Sequence, residues 1–382
     1  MATKYLYIDD DDDPDRLESY IRAVVGDSDG LEIIAERPAQ FDKQVQHLLQ
    51  TLGNYDGLIL DWQLDDIASS DGIRVLFRAG ALAQELRTRE TSKEVKGLPI
   101  VLWSTKPKLQ RSYYADHTSH DLFDVLYDKE AVVDTADVVN KQLISLSEGY
   151  KEIAAVLTSG QALAAMFALD DEIFDSFDPR FTGALPKSER LPIHEYARFI
   201  LKEVVFRPGP LVDEDLLAAR LGIDKQESPD WAVLLERVLS GAAYSGSFND
   251  AWPRWWSQLV EKEWWHSLGE DMPILSSLSA PERVATIIEK TGIQGLIAAK
   301  PISESYGDYF QTICEVTRRP LDPVDGVLID EKKEPKPWQD RRYISLDVAL
   351  ERRGEEEGLR PHPTEIERLK EIRASRTENA EA

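Results

Sequence analysis

The chain has 382 residues, with 45 Lys and Arg against 70 Asp and Glu and a formal net charge of −25, so phosphate backbones and anionic lipid are disfavoured as partners, and neither nucleic-acid nor membrane binding is expected. The length predicts two domains with room for a tail, and 42% hydrophobic residues are ample for buried cores. A single cysteine, Cys314, excludes an internal disulfide and any multi-cysteine metal site, and the six histidines are scattered with no HExxH spacing. The opening MATKYLYIDDDDD reaches charge after a few apolar residues, which predicts no signal peptide. No run approaches 18 apolar residues, so no membrane span is predicted. The expectation is a cytoplasmic protein.

Through the first 148 residues, short apolar runs alternate with amphipathic stretches. KYLYI (Lys4–Ile8) reads as a buried strand, followed by Leu17, Tyr20, Ile21, Val24 and Val25 at helical spacing. LEIIA (Leu31–Ala35) is a second strand and residues 42–52 a second helix. GLIL (Gly57–Leu60) is a third strand, and a long helix covers 71–90. PIVLW (Pro99–Trp103) and DVLY (Asp124–Tyr127) are the fourth and fifth strands. Val132, Ala136, Val139, Leu143 and Leu146 form the last helical stripe. Strands alternating with helices predict an α/β fold: a doubly wound, five-stranded parallel sheet covered on both faces, with its site at the carboxyl ends of the strands.

The residues at the strand ends are chemically pointed. Strand one ends in Asp9-Asp10, strand three in Asp61, strand four in Ser104, and strand five in Asp128-Lys129. Carboxylates gathered at one sheet edge repel unless a cation joins them or they take up protons. Mg²⁺ is the hard divalent ion that accepts such oxygens and bridges carboxylate to phosphate. The set suits phosphoryl transfer: Asp61 as nucleophile forming an acyl phosphate, Lys129 meeting a phosphoryl oxygen, and the Ser104 hydroxyl donating to another.

IDDD after strand one, LILD at Asp61, PIVLWS at Ser104 and YDKE at Lys129, in that order and each at a strand end, resemble the receiver domain of two-component response regulators. The resemblance covers residues 4–148 and implies a flavodoxin-like fold. It implies that Asp9 and Asp10 hold Mg²⁺ together with Asp61 and the backbone carbonyl of Gln63. It implies that Asp61 is phosphorylated by a partner histidine kinase or phosphotransfer protein, with Ser104 and Lys129 binding the phosphoryl group. Such a domain is a phosphoacceptor with at most self-catalysed phosphotransfer and dephosphorylation, so no further enzyme activity is expected.

Several positions depart from the pattern. The interval between Asp61 and Ser104 is long, with extra residues around Ile67–Ser70, and Asp71-Gly72 matches the family's Asp-Gly turn in displaced form. Thr105 and bulky Lys106 follow Ser104 where a small residue is common, which predicts restricted access of water and small donors. Glu130 follows Lys129 in place of proline. Leu126 stands where an aromatic usually switches, with Tyr127 one place later. A haloacid-dehalogenase type of phosphatase is the enzymatic rival. It needs an acidic general acid two residues after the nucleophile, and Gln63 stands there. No GxxxxGK[ST] supports a nucleotide P-loop.

From 149 to 350 the pattern turns mainly helical, and seven of the nine tryptophans lie between Trp231 and Trp338. WPRWWSQLVEKEWWHSL (Trp252–Leu268) reads as a packed core segment or, alternatively, as a partner-binding aromatic patch. EDLLAARLGI (Glu214–Ile223) is similar to the start of a helix-turn-helix, but the helix after it carries one basic residue, Arg237, against Asp230 and Glu236, which argues against DNA recognition. GVLID (Gly326–Asp330) and RYISL (Arg342–Leu346) are candidate short strands. Arg318, Arg319, Lys332, Lys333, Lys336, Arg341 and Arg342 form local basic clusters interleaved with acids, as on a solvated surface. His194 and His266 read as core or surface residues, not ligands, and Cys314 as buried and inert. Residues 351–382 form a charged helical or disordered tail. The expected function is a response-regulator-like signalling protein whose helical domain binds a protein effector. The alternatives are a phosphate sink, a pseudo-receiver scaffold in a bacterial antiphage system, or a DNA-binding transcriptional regulator.

Overall fold

A computed structural model describes residues 2–381 except 12, 27–29, 66–74, 115–116, 187–190, 270, 332 and 356–357. The five apolar runs become strands β1 (Thr3–Ile8), β2 (Leu31–Glu36), β3 (Gly57–Leu60), β4 (Ile100–Ser104) and β5 (Val125–Asp128). All four ladders are parallel, and the sheet order is β2-β1-β3-β4-β5. This is the flavodoxin-like order, in which the chain reverses direction across the sheet between β1 and β3. Every residue of β3 and β4 is buried. A parallel strand covered on both faces has no solvent side, which is why these segments read as unbroken apolar runs. Gly57 has a steric role at the start of β3: a Cβ there would lie 2.1 Å from the Tyr5 ring, whose hydroxyl donates to the Leu143 carbonyl at 2.7 Å.

Helices α1 (Pro14–Val25), α2 (Phe41–Thr51) and α3 (Ala79–Thr91) follow the first three strands. After β4 comes a short helical turn, α4 (Lys106–Lys108), widening through Leu109–Tyr113. Helix α5 runs from Ala136 to Ser159 and stops at Gly160, whose φ of 69° is left-handed. The expected helix over 71–90 begins later. Residues 75–78 run extended, with Val75 and Phe77 buried and Leu76 and Arg78 exposed, an alternation of period two that no helix can present. The Asp71-Gly72 turn and the insertion at Ile67–Ser70 lie outside the described residues.

The chain divides into two compact units. The first comprises Met1–Ser176, Ala184–Glu203 and Ser245–Trp252. The boundary expected at 148 falls inside α5, because its apolar stripe does not stop there: Tyr150, Ile153 and Val156 continue it and are buried. At the amino ends of β4 and β5, Arg87 of α3 is sealed in a polar network. Its guanidinium contacts Asp124 at 3.0 Å and Glu90 at 3.2 Å, the Tyr150 hydroxyl donates to Asp124 at 2.8 Å, and His194 Nδ1 lies 2.8 Å from Glu90. His194 is therefore a buried residue that meets Glu90 in the core.

The second unit comprises Phe177–Gly183, Val204–Tyr244 and Pro253–Ala382. Its helices include Glu214–Leu221, Trp231–Arg237 and Ala280–Thr291. Three antiparallel pairs accompany them: β6 (Leu211–Val212) with β7 (Trp255–Trp256), β8 (Thr312–Ile313) with β9 (Pro320–Leu321), and β10 (Gly326–Leu328) with β11 (Tyr343–Ser345). The two short strands expected in GVLID and RYISL are β10 and β11. Within Trp252–Leu268, Trp252, Trp255, Trp256 and Trp265 are buried, so the segment is core and not an exposed aromatic patch. Cys314 is a buried free thiol. The charged tail includes a helix, Ile366–Glu381, anchored by Arg368 donating to the Gly326 and Val324 carbonyls. Among the described residues no helix is long and apolar enough to cross a membrane.

Candidate phosphoacceptor site

The carboxyl ends of β1, β3, β4 and β5 bring Asp9, Asp10, Asp61, Ser104 and Lys129 together, and all five are buried. Carboxylate oxygens of Asp9, Asp10 and Asp61 lie within 4.8 Å of one another. The acidic run after β1 divides its labour. Asp9 and Asp10 turn into the site, Asp11 pairs with Arg16 at 2.7 Å, and Asp13 caps α1 by accepting from the Arg16 N–H at 3.0 Å. Asp12 lies outside the described residues.

Lys129 Nζ donates to Asp9 Oδ2 at 2.5 Å and lies 3.1 Å from Asp61 Oδ1, an ion pair not aligned as a hydrogen bond. Burial works against the ammonium, but Asp61 and Asp9 hold its pKa above the ordinary value. Burial pushes the Asp61 carboxyl up, Lys129 pulls it down, Asp9 pushes it up again, and the net shift is upward. Asp61 Oδ2 accepts from the backbone N–H of Gln63 at 3.1 Å. Gln63 thus enters the site through its N–H.

Two buried oxygens have no hydrogen-bond partner, Asp61 Oδ1 and Ser104 Oγ. Asp61 Oδ1 still has the Lys129 ammonium at 3.1 Å, and Ser104 helps to hold the Asp61 carboxyl down, so these two buried oxygens are poorly aligned with each other and not isolated, an arrangement that a group bound between them would improve. The donor set is all hard oxygen with three carboxylates, which fits Mg²⁺ and does not fit a soft metal.

Sequence reasoning missed two participants. Lys108, on α4, reaches Asp61 Oδ2 at 3.2 Å and covers it. It stands four residues after Ser104, a helical return to the same edge that the spacing could have suggested. The Tyr7 hydroxyl donates to Asp9 Oδ2, its ring stacks on Trp103 with centroids 5.2 Å apart, and Lys129 Nζ lies 5.8 Å from the ring centre. Tyr7 precedes Asp9 by two along β1, so strand periodicity puts both on one face. Leu126 packs in the sheet's core, while the Tyr127 hydroxyl donates to Gln142 of α5 at 2.8 Å. Glu130 directs its N–H to Asp128 at 3.2 Å, as does Lys106 at 3.3 Å, tying the turns after β4 and β5 together.

The five-stranded parallel sheet with this acidic edge fits a receiver fold. No family model matches the chain, and no curated protein matches it. Among solved structures it is similar to a response regulator receiver domain protein from Clostridium thermocellum, with 10% identity and a TM-score of 0.24, covering 36% of this chain and 94% of that one. The fold assignment rests on the strand order and not on that likeness.

Proposed function

We propose that the first unit is a signalling phosphoacceptor of the response-regulator kind, and that Asp61 receives a phosphoryl group from a histidine kinase or phosphotransfer protein. The observation that carries this reading is the buried pair Asp61 Oδ1 and Ser104 Oγ, neither making an aligned hydrogen bond, beside an ammonium held by Asp9. In the transfer, an Asp61 oxygen forms the new O–P bond as the donor's N–P bond breaks, and the electron pair of that bond returns to the imidazole. Lys129 then meets one phosphoryl oxygen and the Ser104 hydroxyl donates to another, which satisfies both oxygens. Asp9, Asp10 and Asp61, with the carbonyl of Gln63, would hold Mg²⁺, which neutralises charge between carboxylate and phosphate when bound. Because Lys108 covers Asp61, a donor reaches the carboxylate only after α4 moves, and that movement is the signal. The second unit is the output module, recognising a protein effector. On this reading the protein is an acceptor and not an enzyme in its own right.

One observation favours a second reading. Asp61 has no exposed surface, and Lys108 already neutralises it. A scaffold that is never phosphorylated would look this way. Phosphate-affinity electrophoresis distinguishes the two. With Mg²⁺ and a phosphohistidine donor, the wild type shifts and Asp61→Asn does not. If neither acetyl phosphate nor a phosphohistidine donor shifts the wild type, the scaffold reading stands and the phosphoacceptor reading falls.

A further inference from the structure

The second unit carries a cleft of about 790 Å³, assembled from the segment after Leu201, the β6–β7 pair, and the strands between Gln311 and Tyr343. That volume is in the range of small-molecule sites. Although the chain is strongly acidic, the cleft is not. The acids lining it are committed to cations: Asp340 to Arg220 at 2.7 Å, Glu315 to Arg342 at 2.9 Å, Asp213 to Arg318, and Asp178 to Arg180 at 2.6 Å. Arg254 is left over. It lines the cleft, is half-buried, and has no carboxylate within 4 Å among the described residues. Its Nε donates to the Val205 carbonyl and its Nη1 to the Pro253 carbonyl, both at 2.8 Å, which orients the guanidinium and leaves Nη2 without a protein acceptor. Arg341, also on the lining, has no carboxylate within 4 Å among the described residues either.

A cation in that setting is expensive. Burial, with Arg318 nearby, holds the Arg254 pKa below its ordinary value against the pull of Asp213, and a partly desolvated charge with no ion pair in contact is costly unless a ligand meets it. Phe177, Phe181 and Trp338 share the lining, the two phenylalanines buried and Trp338 half-buried. Phe177 and Phe181 are 6.2 Å apart between ring centroids, and Phe181 and Trp338 are 6.4 Å apart. An oriented guanidinium and a half-buried indole on one lining match a ligand with an anionic group at one end and a flat ring at the other.

We propose that this cleft binds a mononucleotide-sized ligand, its phosphate held by Arg254 and its planar base against Trp338. The cleft belongs to the second unit and the acidic edge that holds Asp61 to the first, so the ligand would be an input or product of the output unit and not of the phosphoacceptor. The same anionic chemistry is offered by free phosphate, so the test separates the two.

The experiment titrates the full-length protein with AMP, adenosine and inorganic phosphate, read by calorimetry and by quenching of tryptophan fluorescence. AMP is expected to bind at least tenfold more tightly than adenosine or phosphate alone. Arg254→Met is expected to weaken AMP about tenfold or more, the loss of a charge-assisted contact. Arg341→Ala, at an exposed position, serves as a second variant that leaves the fold intact, and a severalfold loss is expected. Asp61→Asn should leave AMP affinity unchanged. No AMP binding at 10 mM overturns the proposal, as does AMP affinity unaffected by both arginine substitutions. Phosphate binding as tightly as AMP would also overturn it, since Trp338 would then contribute nothing.

Discussion

At the sheet edge of the first unit, three buried carboxylates meet two lysines. In the cleft of the second unit, arginines outnumber the acids left to meet them. By charge, the first arrangement could take one more cation and the second an anion. Burial also differs. Asp9, Asp61 and Lys129 are each at most 4% exposed, whereas the Arg318–Asp213 pair is about a third exposed on both sides. The contrast teaches that an ion pair's meaning depends on where it sits. A sealed pair that fails to cancel is a site, while a half-exposed one is scaffolding for a site beside it.

The contrast breaks most visibly where a buried charge loses its partner. Arg87→Met strands Glu90 and Asp124 in the first unit's interior, and urea unfolding is expected to show a loss of about 3–5 kcal/mol. Arg318→Met, in the half-exposed network of the second unit, should cost about 1 kcal/mol or less by the same measurement. Equal losses would remove the distinction.

Mg²⁺ sharpens the comparison from the other side. At tenfold above its dissociation constant it should stabilise the first unit by about 1.4 kcal/mol, seen as a rise in Tm that Asp10→Asn abolishes. A rise that survives the substitution would place the ion elsewhere.

Acid probes the network around Arg87. Burial alone would push the Glu90 carboxyl up, but His194 and Arg87 hold it below the ordinary value. Its contribution is therefore present above the unfolded-state pKa and lost as pH falls through the lower folded one, a window below about pH 4.5. Urea midpoints should drop across that window, and Glu90→Gln should flatten part of the drop.

The smallest effect is expected at Lys108. Its side chain is 27% exposed, so Lys108→Ala should change stability by under about 1 kcal/mol. By removing a cation that competes for Asp61, it should tighten Mg²⁺ binding severalfold, measured by calorimetry. Unchanged affinity would mean that Lys108 is a bystander.

Much of the first unit was legible because local chemistry and global position coincide there. An apolar run followed by an acid or a hydroxyl is both a strand and its functional end, so Asp9, Asp10, Asp61, Ser104 and Lys129 could be read off one after another. The helix start at Ala79 was not legible, because V-L-F-R fits an extended pattern only once Val75 and Phe77 are seen to be buried. Lys108 and Tyr7 were hidden in plain composition, one among surface lysines and the other inside a buried strand. The cleft was invisible for a different reason. Phe181, Arg254, Gln311 and Trp338 lie on four separated segments, and no periodicity links them.

By itself the amino-acid order determined the five strands, their alternation with helices, and which residues stand at the strand ends. Those follow from side-chain periodicity and from the rule that parallel strands need crossovers. Only the tertiary structure decided that Lys108 reaches Asp61, that Ser104 and Asp61 each keep an oxygen without an aligned hydrogen bond, and that Arg254 has no carboxylate within 4 Å among the described residues. Each of these is a statement about distance between segments remote in the chain, and electrostatic balance is set by distance.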